Sequence, residues 1–198
     1  MAASSSIATA ISYYRTQGSV QGSAPMRNLA EAASQTFNQG VPVQLASGYI
    51  QECASIVSVA TAIIAGFSLA PGAGLTSAGV PKVLVTGWKV PNQSSAVVQP
   101  IGAPLNDGTN QFTQARGDLT FIGTVGNSNT AANATLAQTM VGAIFGLTKD
   151  AGNNFWYVDN YITTAANGAC VEVVGLVDAV GTLNGRVEFR VTAAAQQL

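Results

Sequence analysis

The chain has 198 residues, eight Lys or Arg, nine Asp or Glu, and no His. Charged residues make up 9% of it, against about 25% in an ordinary soluble domain. A formal net charge of -1 supplies no broad basic field, so no nucleic-acid partner is expected. Without His, Ser–His and Cys–His nucleophile pairs are excluded, as are His-ligated zinc and haem. The length fits one domain with arms. The composition points away from an enzyme, and no cofactor is expected. Ser, Thr, Asn and Gln stand where ions would normally cover the surface. Neutral polar surface costs less to desolvate than charge, so such an exterior favours burial against other protein copies.

Cys53 and Cys170 are far apart, belong to no CxxC pair, and cannot complete a four-ligand zinc site. Each stands beside apolar residues and reads as a small buried hydrophobe, in keeping with synthesis in a reducing cytosol. No basic residue precedes Arg15 and no sustained apolar run opens the chain, so no signal peptide is expected. The most apolar stretch, Cys53 to Leu69, is 17 residues long and interrupted by Ser55, Ser58, Thr61, Gly66 and Ser68. It falls short of the ~20 residues of a membrane helix, reads as buried strand, and gives no reason to expect a membrane partner.

In chain order, residues 1–29 read as an arm. It is small and polar and carries Tyr13, Tyr14 and Arg15, with at most a short helix over Ser5–Tyr14 before Gly18, Gly22 and Pro25 break it. It has too little apolar surface to pack alone, so it is either a flexible tail or an arm that orders on a neighbour, with Tyr13 and Tyr14 as its anchors. From residue 30 the pattern is that of strands. Val41 to Leu45 alternates at period 2, and Ser47-Gly48 then Tyr49-Ile50-Gln51 complete a hairpin. Ile56–Leu69 and Val80–Val90 read as further strands, separated by the loop Pro71-Gly72-Ala73-Gly74. Residues 91–135, rich in Pro, Gln, Asn and Ser, read as a long insertion containing one strand, Asp118–Val125. A short helix or turn to Gln138, a strand through Leu147 and a strand over Phe155–Asn160 follow. The clearest pattern closes the chain. Cys170–Val177 alternates, Asn184-Gly185 is the dipeptide of a tight type I′ turn, and Val187, Phe189 and Val191 point inward from an Arg186, Glu188, Arg190 row. The tail 193–198 is expected to fray. Short strands separated by turn signals predict an all-β fold, a single barrel or sandwich over residues 30–198 with an extended N-terminal arm and a long loop insertion.

The chemistry-bearing patterns are sparse. The acids are scattered, and Asp150 and Asp159 flank a predicted hairpin as any polar pair would. Gly72-Ala73-Gly74 with Gly79 misses the dinucleotide-binding spacing. Trp88, Trp156 and Tyr157 could stack on a sugar or base, but their place within strands favours core packing. No catalytic or metal-ligating residue is assigned.

The stretch Gln35-Thr36-Phe37-Asn38-Gln39-Gly40-Val41-Pro42-Val43-Gln44-Leu45, Gly48-Tyr49-Ile50, Ile64-Ala65-Gly66-Phe67-Ser68-Leu69, Trp156-Tyr157-Val158-Asp159 and Gly181 to Phe189 together resemble the small β-barrel capsid decoration, or cement, proteins of tailed bacteriophages. The resemblance covers roughly residues 30–192. The 91–135 insertion and the N-terminal arm depart from it. It implies a virion protein, made in the host cytoplasm, that binds the outer surface of the head, bridges major capsid protein subunits and self-associates, often as a trimer. On that reading Tyr13, Tyr14 and Arg15 of the arm and Gln111, Phe112 and Arg116 of the insertion are the expected contact residues. Two alternatives share the texture: a tail or fibre component, and a carbohydrate-binding module.

Overall fold

A computed structural model describes residues 10–16, 25–53, 64–74 and 109–197. The expected strand Val80–Val90 with Trp88, residues 56–63 of the preceding strand and residues 91–108 of the insertion lie outside the described residues.

The fold is all-β, as expected, and is built of two sheets, not one clean barrel. The first sheet holds β2 (Met26–Ala30), β3 (Pro42–Ala46), β4 (Tyr49–Glu52), β5 (Gly66–Ser68) and β6 (Thr109–Gln114) in the order β2-β6-β5-β3-β4. The second holds β1 (Ser12–Thr16), β7 (Leu119–Gly126), β8 (Ile144–Lys149), β9 (Trp156–Asp159), β10 (Ala169–Leu176) and β11 (Arg186–Val191) in the order β1-β7-β11-β10-β8-β9. Each closes on itself through a short parallel contact. In the second sheet β7 meets β9 at Val125↔Val158 and Gly126↔Asp159. In the first, the residue after β2 meets β4 at Glu31↔Ile50, and Ala32 N–H donates to Ile50 O at 2.8 Å.

The two rings follow one path. In each, the first strand pairs with the fifth, the fifth with the fourth, the fourth with the second, and the second with the third as a hairpin. The third then returns parallel to the end of the first. A fully buried carboxylate sits at each closure. Glu31 accepts from Ala73 N–H at 2.9 Å and Asn110 Nδ2 at 3.1 Å. Asp159 accepts from the backbone N–H of Ser128 and Tyr161, both at 3.1 Å, and from Thr148 Oγ1 at 2.7 Å. A short parallel ladder leaves nearby N–H groups without carbonyl partners, and buried donors must be paired.

Alternation sets the inner faces. Leu119, Phe121 and Val125 of β7, Val171 and Val173 of β10, and Val187, Phe189 and Val191 of β11 are all buried in one core. That core is continuous with the first ring's Val43, Ile50, Phe67 and Phe112. Phe67 of β5 joins them, its ring 4.4 Å from Phe121 and 5.9 Å from Phe189.

Turn chemistry explains several boundaries. Ser47 and Gly48 both have positive φ (52° and 84°), the type I′ geometry that joins two twisted antiparallel strands by two residues. The Asn184-Gly185 dipeptide does not make the tight turn expected of it, because β10 and β11 are joined by the whole of 177–185. A Cβ on Gly185 would lie 2.5 Å from Leu136 Cδ1, and Asn184 N–H donates to Ala134 O at 2.8 Å. This glycine serves the close approach of segment 134–136. The tail does not fray either. Ala195 is fully buried, Gln196 bridges to Ile64, and the Gln197 side chain brackets Leu45, accepting from its N–H at 2.6 Å and donating to its carbonyl at 2.7 Å.

Three further expectations are corrected. Residues 12–14 form a strand, not a short helix, because they pair with β7. Met26–Ala30 belongs to a sheet and not to an arm, and the described part of the insertion supplies β6 and β7, a strand of each sheet. Ala131–Asn133 and Gln138–Met140 are single 3-10 turns, and the strand they precede starts only at Ile144. Removing the ring that joins both sheets should leave a large void. Phe121→Ala is expected to cost about 3–5 kcal/mol, read from its denaturant midpoint against the parent.

Candidate functional site

Ionisable groups are the first place to look for chemistry, and here they are engaged with one another. Among the described residues five ion pairs form: Arg15–Glu188, Arg116–Asp118, Lys149–Glu52, Arg186–Asp178 and Arg190–Glu172, each at 2.7–3.2 Å. The remaining described carboxylates, Glu31, Asp150 and Asp159, are buried and hydrogen-bonded to neutral donors. Asp150 holds its own turn through Gly152 N–H at 2.9 Å and Asn153 Nδ2 at 3.1 Å. The described residues contain no cluster of three or more His, Cys, Asp or Glu that could hold a metal ion.

Cys53 and Cys170 are free and buried. Desolvation pushes both thiols up, Cys170 to about 12, which keeps them protonated and unreactive at neutral pH. Trp156 is almost fully buried and its Nε1 donates to Glu52 Oε1 at 2.9 Å; Tyr157 is buried too, so neither forms an exposed stacking platform. Glu52 also accepts from Lys149 Nζ at 2.9 Å. These bonds tie β4 of the first sheet to β8 and β9 of the second. Among the described residues no helix is long and apolar enough to cross a membrane.

The six residues expected at a contact surface divide by location. Tyr13, Tyr14 and Arg15 lie on β1, which runs antiparallel to β7. Tyr13 is half-buried with its ring edge-on to Phe121, centroids 6.4 Å apart. Arg15 donates through Nε and Nη2 to both carboxylate oxygens of Glu188, at 2.7 and 2.8 Å. The Glu188 side chain is only 7% exposed. The outward row expected on β11 is therefore covered here by β1, while Arg190 pairs with Glu172 on β10 and Arg186 with Asp178. Tyr14 is 48% exposed, with the Arg15 guanidinium carbon 5.3 Å from its ring centre.

Gln111 and Phe112 lie on β6, where alternation exposes Gln111 and fully buries Phe112. Phe112 packs in the core, so the β6 contact candidate is Gln111. Arg116 is exposed in the turn between β6 and β7 and pairs locally with Asp118. Leu119, at the end of that turn, pairs with Thr16, so Arg116 lies close in the chain to the end of β1. Large apolar residues not singled out from the sequence are also exposed: Met26, Val180, Leu183 and Tyr161. Val180 and Leu183 stand in a segment read as turn chemistry, which carried no signal that they would face outward. Comparison with protein-family models, with curated proteins and with solved structures returns no match for this chain.

Two expected outcomes follow from these charges. Arg15→Ala leaves the Glu188 carboxylate covered without its counter-charge, whereas Arg15→Ala with Glu188→Gln removes both charges. The single variant should therefore lower the Tm more than the double variant, measured at neutral pH. Glu31 is raised above its ordinary 4.5, chiefly by desolvation, with its hydrogen bonds opposing. A raised carboxyl binds more protons folded than unfolded. Its contribution therefore favours the fold most at low pH and declines as pH climbs from about 4.5 through the folded-state value. The Tm difference between the parent and Glu31→Gln should change across that interval and be flat above it.

Proposed function

We propose that the chain is a structural virion protein that binds the outside of a tailed-phage head and steadies it by bridging major capsid protein subunits. The observation that carries this reading is the state of the charges. Five of the six described cations are in ion pairs within the chain, and every described carboxylate is paired or buried. Apart from Arg27, what the described residues otherwise expose is amide, hydroxyl and scattered apolar surface. Such a surface is cheap to desolvate against protein and offers little to a charged substrate. The resemblance of residues 30–192 to decoration proteins and the all-β body support the same reading.

In mechanism, each copy makes several modest contacts with adjoining subunits. Once the first has formed, the others are intramolecular and add at high effective concentration. Tyr14, Arg15, Gln111 and Arg116 are the exposed residues of the expected contact set, Arg15 being tied to Glu188. A self-associated form, such as a trimer, would multiply the contacts again.

The test uses purified heads assembled without the protein. Added back, the chain should co-sediment with heads at a saturable stoichiometry and raise their resistance to heat. Tyr14→Ala with Gln111→Ala should weaken retention while leaving the Tm of the free protein unchanged. No co-sedimentation, together with binding on a glycan array, would overturn the reading in favour of a carbohydrate-binding module.

A further inference from the structure

We propose that β1 is an exchangeable strand: copies of this chain join by seating β1 on the β7 edge of a neighbouring copy in place of their own. This does not rest on head binding, because it concerns the purified protein alone.

The acceptor is complete without β1. The ring β7-β11-β10-β8-β9 closes through its own pairings, and β1 lies along the N-terminal half of the same β7 edge that β9 uses further on. It is also a shaped seat. Ile11 is buried beside Gly40, where a Cβ would lie 2.5 Å from the Ile11 carbonyl oxygen and 2.9 Å from its nitrogen. Tyr13 fits edge-on to Phe121, Glu188 takes both arms of Arg15, and Thr120 Oγ1 donates to the Arg15 carbonyl at 3.2 Å. The seat reads an apolar–aromatic–cationic strand at alternate positions, and any copy of this chain can provide one.

The donor's tether decides which copy does. Residues 115–118 join β6 of the first sheet to β7 of the second, and residues 17–25 join β1 of the second to β2 of the first. Between the pairs Thr16↔Leu119 and Met26↔Thr113 lie nine residues on the β1 side and five on the β7 side. Nine residues reach at most about 30 Å. Seating β1 at home or away makes the same bonds, so their energies cancel and local concentration sets the outcome. Reciprocal exchange gives a twofold pair, and cyclic exchange gives a ring.

Two experiments test this. Ser12 and Ile122 are register partners, a spacing that suits a disulfide. Chains carrying Ser12→Cys and chains carrying Ile122→Cys, mixed at high concentration under mild oxidation, should form a disulfide-linked heterodimer. Its yield relative to a control with Asn167→Cys, an exposed position elsewhere, in place of Ile122→Cys should rise with total chain concentration, because local concentration sets the partition. A yield no higher than that control's would overturn the proposal. In the second experiment, deletion of residues 18–24 leaves two residues between Thr16 and Met26, where five separate their register partners Leu119 and Thr113, and is expected to disfavour seating β1 at home. The variant should sediment as a dimer or larger closed species. A folded monomer would equally overturn the proposal, whatever the disulfide result.

Discussion

Everything in this fold depends on how two separately closed rings are held together, and the contact at the centre of that junction is Phe67. Its ring comes from the three-residue β5 of the first sheet and lies against Phe121 and Phe189 of the second. A strand this short contributes few ladder hydrogen bonds, so side-chain packing fixes its position. The glycine before Phe67 makes the approach possible. A Cβ on Gly66 would collide with the Thr113 carbonyl and lie 2.5 Å from Phe112. Around this aromatic cluster the polar ties are peripheral: Glu52 to Lys149 and Trp156, and Gln197 to Leu45. The ordering fits the physical scale of the terms, since burying aromatic surface outweighs partly exposed pairs screened by solvent.

The same economy explains the surface. A chain with so few ions could have scattered them for solubility, but among the described residues all except the exposed Arg27 are ion-paired or buried. Glu188 shows how far this goes, being an outward residue by alternation yet covered by a strand from the other end of the chain. What faces solvent is adhesive in the plain sense that little must be stripped from it before another protein can lie against it.

Much of the second ring and one hairpin of the first were legible in the sequence. Arg186–Val191 alternates strictly, Cys170–Val177 nearly so, and the Ser47-Gly48 turn follows from residues that tolerate positive φ. What could not be read depended on partners far away. Ser12–Thr16 is too polar to announce a strand, and its order comes from Phe121 and from Glu188, 173 positions from Arg15. The repeated path of the rings was hidden because the connections differ: 177–185 in one ring corresponds to 69–108 in the other. Asn184-Gly185 misled because one residue pair suits both a tight turn and a close packing contact, and only Leu136 distinguishes them. For the candidate contact surface, Tyr14 and Gln111 are exposed as read, whereas Phe112 shows that a polar neighbourhood does not reveal which face of a strand is covered.

The two chain ends cross over. The N-terminal strand is laid on the ring built from the C-terminal half, and the C-terminal Gln196 and Gln197 are fastened to Ile64 and Leu45 of the ring built from the N-terminal half. A tensile load applied to either half is thus passed to the other through both ends at once. Separating the halves would therefore cost the β1–β7 pairing and the Gln197 bonds to Leu45 as well as the aromatic packing between the rings. A body fastened in this way behaves as a clasp.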